Sequence, residues 1–240
     1  MMNNADLVTA VTIATANKDR EALRQIVVTT DSNGQKWLEA TDTYRAMRTP
    51  VNIGTAAPTV GVSVKHLPKS RSAKLRDLRP SELEAFFSDA EVLNGGWPNV
   101  RRLFRHANDE ERATVHPARF GVLVDLAKIT KLKTLARVEI VDATDTPNRK
   151  VLTITPIVFL DGTRCEGDAT ELATLENPNN ATEGLVGHYN AEYLTSVWPT
   201  TTVGGRIRGL PTTIGIYAGE RPRWTNSLRI GNALIMSVRV

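Results

Sequence analysis

Four histidines, His66, His106, His116 and His188, and a single cysteine, Cys165, are the side chains with which this chain could bind a transition metal or build a strong nucleophile. Their spacing suits neither task, because no two of them fall at the short intervals that bring metal ligands onto one turn or hairpin. The sequence contains no G-x-S-x-G elbow, no phosphate-binding glycine loop and no G-x-G-x-x-G. Cys165 sits in a Gly/Asp-rich segment with no base near it in sequence. The carboxylates Asp142 and Asp145 fall in the turn-rich stretch Asp142–Asn148, which offers no fixed acid–base geometry. The expectation is therefore no catalytic residue, no metal and no cofactor.

Charge is a second kind of chemistry. Thirty Lys and Arg against 26 Asp and Glu give a formal charge of +4, and the sequence pI is about 9.3. The excess is mild but clustered. Lys65, Lys69, Arg71, Lys74, Arg76 and Arg79 share one segment interrupted only by Asp77, and Lys128, Lys131, Lys133 and Arg137 form another. A lone run of this kind is ordinarily a solvated face; its recurrence in two halves of the chain is the informative feature. A third stretch, Trp37–Ala46 (WLEATDTYRA), places Thr41, Asp42 and Thr43 between two extended segments. Asp and Thr side chains hydrogen-bond their own backbone there, which predicts an Asx-type turn and, taken alone, a hairpin corner.

The elements that must position these residues follow from periodicity and breakers. With 240 residues and 41% apolar side chains, the chain can build one large domain or two of ordinary size. No apolar run approaches a membrane span. The opening MMNNADLVTA has neither a basic nor an apolar signal region, and one cysteine excludes an internal disulfide, so a reduced, cytoplasmic setting is expected. Asn3 or Asn4 caps a first helix reaching Ala16, with Leu7, Val11 and Ala14 on one face. Ile26, Val27 and Val28 mark a strand over Gln25–Thr30, and Asp31-Ser32-Asn33-Gly34 is a hairpin signal with Asn-Gly supplying positive φ. Extended segments follow over Met47–Ile53 and Thr59–Val64. Pro68 can open a helix that Pro80 ends, whereas Ser81–Glu84 resembles a capping box for a helix over Glu82–Ala90; both readings stay open.

Beyond Gly95-Gly96 the order begins again. His106–Thr114 reads as a charged loop, Pro117 opens a helix through Ile129, and Val138–Val141 and Val151–Val158 read as strands. Gly162–Glu183 reads as irregular with a strand near Leu172–Leu175, and Asp161-Gly162 and Gly204-Gly205 as turns. Asn190 caps a helix over Ala191–Val197, and strands follow over Ile207–Leu210, Thr213–Tyr217 and Ala233–Val240. The repeated order predicts an α+β chain of two like units, 1–96 and 97–240.

Three stretches resemble, in order, the peptide-pocket segments of the bacterial β sliding-clamp family: Trp37–Ala46, Gly95–Leu103 (GGWPNVRRL) and Leu234–Val240 (LIMSVRV). The family's runs read like ATDGHRL, GRFPDYRRV and a terminal VMPMRL. Tyr189–Leu194 is similar to the FN-x-x-YL opening of the family's last helix. Thr43 stands at a usual glycine, Tyr44 at a histidine or tyrosine, and Ser237 at a proline, which marks a divergent relative, phage-encoded on this reading.

The resemblance implies two DNA-clamp-like domains, each with two helices on curved antiparallel sheets. It implies a sliding clamp, the processivity factor of a replicative DNA polymerase, which encircles duplex DNA and docks the polymerase and clamp loader through short peptides. Family members have three domains per subunit and close as dimers. A two-domain chain would close as a head-to-tail homotrimer. The partner-peptide pocket would comprise Leu23, Thr41, Thr43, Tyr44, Arg45, Ala46, Pro98, Arg102, Leu103, Ile235, Met236, Val238 and Arg239. Lys69, Arg71, Lys74, Lys128 and Lys131 would face DNA phosphates without reading sequence. A monomeric clamp-like peptide-binding module, and an α+β enzyme whose residues converge only in three dimensions, are the alternatives.

Overall fold

The computed structural model describes residues 4–16, 20–54, 59–67, 80–88, 90–92, 97–105, 111–115, 135–146, 148–176, 183–203, 206–209, 212–217 and 227–238. The chain is α+β and divides into two compact units, Met1–Arg105 and His106–Val240.

The first unit is built on an antiparallel sheet of β1 (Gln25–Thr30), β2 (Lys36–Thr41), β3 (Arg45–Val51), β4 (Thr59–Ser63) and β5 (Glu91–Val92), in the order β3-β2-β1-β4-β5. Helix α1 (Asn4–Ala16) packs on one face, where Val28, Leu38 and Thr49 lie in register. The Thr49 hydroxyl donates to Asp6 of α1 at 3.2 Å. Leu7, Ala10, Val11, Ile13 and Ala14 are buried there, and each large aliphatic side chain removed from water contributes about 1.5–3 kcal/mol. Thr9, Thr12 and Thr15 interrupt this apolar stripe, but their hydroxyls donate to the carbonyls of Ala5, Val8 and Val11 one turn back. Their polar atoms therefore need no partner outside the helix.

The other face of the sheet carries Val27, Glu39 and Arg48 in one register row and Thr29, Trp37 and Pro50 in the next. Helix α3 (Val100–Arg105) packs against β2 and β3. Helix α2 (Pro80–Ser88) starts at its proline, where the missing N–H costs nothing. Its Glu84 accepts the Gly54 N–H at 3.0 Å. The β1–β2 hairpin departs from the Asn-Gly expectation, since only Gly34 has positive φ (79°). Asp31 accepts from Gly34 N–H across a tight turn, and its carboxylate takes the amides of Asn33 and Gln35. This is a three-residue loop whose last position is left-handed.

The second unit arranges β6 (Glu111–Val115), β7 (Leu135–Asp142), β8 (Lys150–Leu160), β10 (Thr170–Leu175), β11 (Gly184–Asn190), β14 (Thr212–Tyr217), β15 (Ser227–Ile230) and β16 (Ala233–Ile235) in the order β11-β7-β8-β10-β6-β14-β15-β16. Strand β9 (Thr163–Glu166) pairs with β8, and β12 (Thr200–Val203) with β13 (Arg206–Gly209) makes a separate hairpin. Ala136, Val138 and Ile140 alternate inward along β7, as a sheet with one covered face requires. Helix α4 (Ala191–Val197) packs on β11 and β16, and the Asn190 side chain caps it by accepting the Glu192 N–H at 2.9 Å.

Several expectations are corrected here. Glu111–Thr114 is not loop but part of β6, whose charged Glu111 and Arg112 lie in register with Ile216 and Gly215 of β14. The stretch after Gly162 is more regular than its composition implies, holding β9 and a β10 that begins at Thr170. The two-residue turn Asp161-Gly162 (φ 49° and 81°) sets the β8–β9 register. The last strand ends at Ile235, after which Val238 makes a single bridge to His188. The helices expected after Pro68 and Pro117 lie outside the described residues.

Candidate functional site

The corner between β2 and β3 is built almost entirely from its own six residues. Asp42 Oδ1 accepts the backbone N–H groups of Tyr44 (3.0 Å) and Arg45 (2.7 Å), the Asx turn that the sequence predicts. Asp42 Oδ2 receives the Arg45 guanidinium through Nε at 2.8 Å and also through Nη2. Both side chains are almost fully buried. The Thr41 hydroxyl donates to the Arg45 carbonyl at 2.8 Å, and the Asp42 N–H to the same oxygen at 3.1 Å. Because the buried charges meet in a forked, hydrogen-bonded pair, their desolvation is offset locally. Thr43 adopts φ 79°, the left-handed region that a β-branched residue enters only at a cost. By the resemblance noted in the sequence, this position corresponds to a usual glycine of the clamp family.

The corner sorts the expected pocket residues by access. Tyr44 is 53% exposed and Leu103 of α3 is 43% exposed. Pro98 and Arg102 are also exposed, and the Arg102 amide is held by the Asn99 side chain at 3.1 Å. Thr41, Arg45 and Ala46 are buried behind this surface, and Leu23 is buried in the 3-10 turn Glu21–Leu23. Thr41 and Ala46 share the sheet face of Glu39 and Arg48.

In the second unit, Ile235 is buried on β16 opposite Leu228. Met236 is half-buried, its sulfur accepting the Ser227 hydroxyl at 3.4 Å. Val238, also half-buried, donates its N–H to the His188 carbonyl at 2.7 Å. Arg239 lies outside the described residues, as do all five expected phosphate contacts, Lys69, Arg71, Lys74, Lys128 and Lys131. Two further members of the basic clusters are described and paired: Lys65 meets Glu21 at 2.7 Å, and Arg137 meets Glu139 at 2.9 Å and Glu166 at 2.7 Å.

Sequence reading missed a second network on the same face of the first unit. Glu39, 2% exposed, accepts Arg48 Nε at 3.0 Å and the Trp97 indole N–H at 3.1 Å. The Arg48 guanidinium lies 3.6 Å from the Trp37 ring centroid, a cation–π contact. The Trp37 indole donates in turn to Asp31 Oδ2 at 3.0 Å, and this bond holds the Asp31 carboxyl below its ordinary range. The signal was available in part. Alternation along the two strands puts Glu39 and Arg48 on one face, but nothing local points to Trp97, 58 residues away from Glu39.

Among the described residues no group of three or more His, Cys, Asp or Glu could hold a metal ion. Cys165 is exposed on β9. No described helix is long and apolar enough to cross a membrane.

No protein-family model matches the sequence, and no curated protein matches it. Solved structures do. The DNA polymerase III β subunit of Borrelia burgdorferi aligns with 100% of this chain and 62% of its own at a TM-score of 0.59 and 13% identity. The β subunit of Streptococcus pyogenes DNA polymerase aligns with 99% of this chain and 63% of its own (TM-score 0.57, 16% identity). That of Pseudomonas aeruginosa DNA polymerase III aligns with 100% and 65% (TM-score 0.59, 12% identity). This chain thus spans somewhat under two thirds of the length of these subunits. At such identities the likeness is one of fold, and over its whole length the chain has the fold of the bacterial sliding clamp.

Proposed function

We propose that this protein is a DNA sliding clamp, a ring that encircles duplex DNA and tethers a replicative polymerase through a short docked peptide. The carrying observation is the clamp fold over the entire chain, joined to a corner that keeps a left-handed backbone at Thr43 although glycine is absent. A surviving conformation under an unfavourable residue is the mark of a shape that matters. The alignment with 62–65% of each β subunit agrees with two clamp domains per chain, with a boundary read from sequence at 1–96 and 97–240. On this reading three chains supply six domains and close head to tail.

Ring closure makes tight DNA contact unnecessary, since topology prevents sideways escape. Lys69, Arg71, Lys74, Lys128 and Lys131 are assigned to loose, salt-dependent phosphate contacts. Peptide contact is assigned to Leu23, Thr41, Thr43, Tyr44, Arg45, Ala46, Pro98, Arg102 and Leu103 of the first unit and Ile235, Met236, Val238 and Arg239 of the second. The exposed Tyr44 and Leu103 are its first anchors, as aromatic and apolar side chains dominate such interfaces. The reading includes no catalysis. The cytoplasm of a bacterial or phage-infected bacterial cell is the proposed setting.

The test is the solution mass by light scattering across a concentration series. Three chains support the six-domain ring. A mass of one chain at every concentration, with or without DNA, overturns the ring and favours a monomeric peptide-binding module; a stable dimer overturns the domain count.

A further inference from the structure

A cavity of about 340 Å³ opens on the first unit's sheet face, beneath the segment that leads into α3. Its walls include Thr29, Thr59, Glu39 and Arg48 from the sheet, Trp97 from that segment and Arg101 from the first turn of α3. Its hydrogen-bonding capacity is lopsided. Both carboxylates are already engaged: Asp31 accepts from two backbone amides and the Trp37 indole, and Glu39 from Arg48 Nε and the Trp97 indole. The donors are not. Among the described residues Arg48 hydrogen-bonds only through its Nε while its guanidinium stacks on Trp37, Arg101 feels Asp31 electrostatically without a hydrogen bond, and the hydroxyls of Thr29 and Thr59 have no partner. A cavity whose open N–H and O–H donors outnumber its remaining acceptor sites can receive a further acceptor group, a carboxylate above all.

We infer that this cavity is a subsite for a carboxylate side chain of the docked partner peptide, received by Arg48 and Arg101. The inference rests on the docking function proposed above. Glu39 and Arg48 lie two residues along β2 and β3 from Thr41 and Ala46 at the corner, on the same face. That is about 7 Å at strand rise. An extended peptide advances about 3.3–3.6 Å per residue, so the acidic residue falls two to four positions from the apolar anchor. The occupant is a peptide rather than a nucleic acid because the receiving groups line a concave site together with Trp97 and Pro98. A duplex backbone is convex and would meet the rim.

The test measures binding of synthetic peptides of about seven residues that carry two adjacent leucines as anchor, with glutamate or glutamine at successive positions away from it. The wild-type protein is expected to bind the glutamate peptide about tenfold more tightly at a spacing of two to four, a charged hydrogen bond in a half-open site. Arg101→Gln should abolish that preference while leaving the glutamine peptide's affinity unchanged. Arg48→Lys, which keeps a charge beside Glu39, should reduce the preference without unfolding the protein, as checked by its melting temperature. Equal affinity for both peptides at every spacing overturns the carboxylate subsite and leaves docking intact. Failure of every peptide to bind overturns docking and the subsite with it. If Arg101→Gln instead weakens a duplex oligonucleotide and leaves peptide preference untouched, the donors serve phosphate and the subsite is wrong.

Discussion

Thr43 stores strain at the corner, and its side chain is exposed with no hydrogen bond of its own among the described residues. Thr43→Gly removes about 1–2 kcal/mol of left-handed strain and gives back about 0.5–1 kcal/mol through glycine's freedom in the unfolded chain. A net gain of about 0–1.5 kcal/mol is therefore expected in urea denaturation. A clear loss would mean that the threonine side chain makes a contact the structure does not contain. Asp42 lies at the opposite extreme. Asp42→Ala removes the carboxylate paired with the buried Arg45 and should cost about 3–5 kcal/mol, whereas Asp42→Asn keeps an acceptor for the two amides and should cost less. Equal losses would put the energy in the ion pair and not in the turn. The turn was legible in sequence, because an Asp two residues before an amide has few other partners. The Arg45–Asp42 pair was not, since an arginine's reach allows many partners until the backbone is fixed.

At the level of elements, strands rich in β-branched residues declared themselves, as β1, β7 and β8 did. Those governed by pairing did not. Strand β6 is charged and short, and its conformation is set by its β14 neighbour rather than by its own side chains. The bridge from Val238 to β11 was equally hidden, as one amide cannot be read from composition. That strand supplies a pH test. The imidazole of His188, whose Nε2 is buried without a partner, is held below its ordinary value near 6.5, first by burial and then by the Arg164 and Arg137 charges. A lowered histidine means that the unfolded chain binds the proton more readily. Stability should therefore decline as pH falls below about 6.5 and level off once the folded state is also protonated. Denaturation midpoints taken between pH 7.5 and 5 check this, and His188→Gln should flatten that part of the profile. An unchanged profile would place the titration elsewhere.

For the whole molecule, fold class was legible because local order repeats, while the assembly and the DNA-facing surface depend on residues that meet only across chains or around a duplex. If the ring reading holds, protein assembled on nicked circular DNA should remain bound through a high-salt wash and be released when the circle is linearised. Release from both forms at the same salt would mean electrostatic attachment without encirclement. The corner adds a consequence of another kind. Thr41, Asp42 and Arg45 bond chiefly to one another, so the surface under Tyr44 is cast before any partner arrives. The ordering entropy of an encounter then falls almost wholly on the peptide. Cyclising a partner peptide, or seeding it with proline, should tighten binding mainly through slower dissociation, while stiffening the protein further should change little.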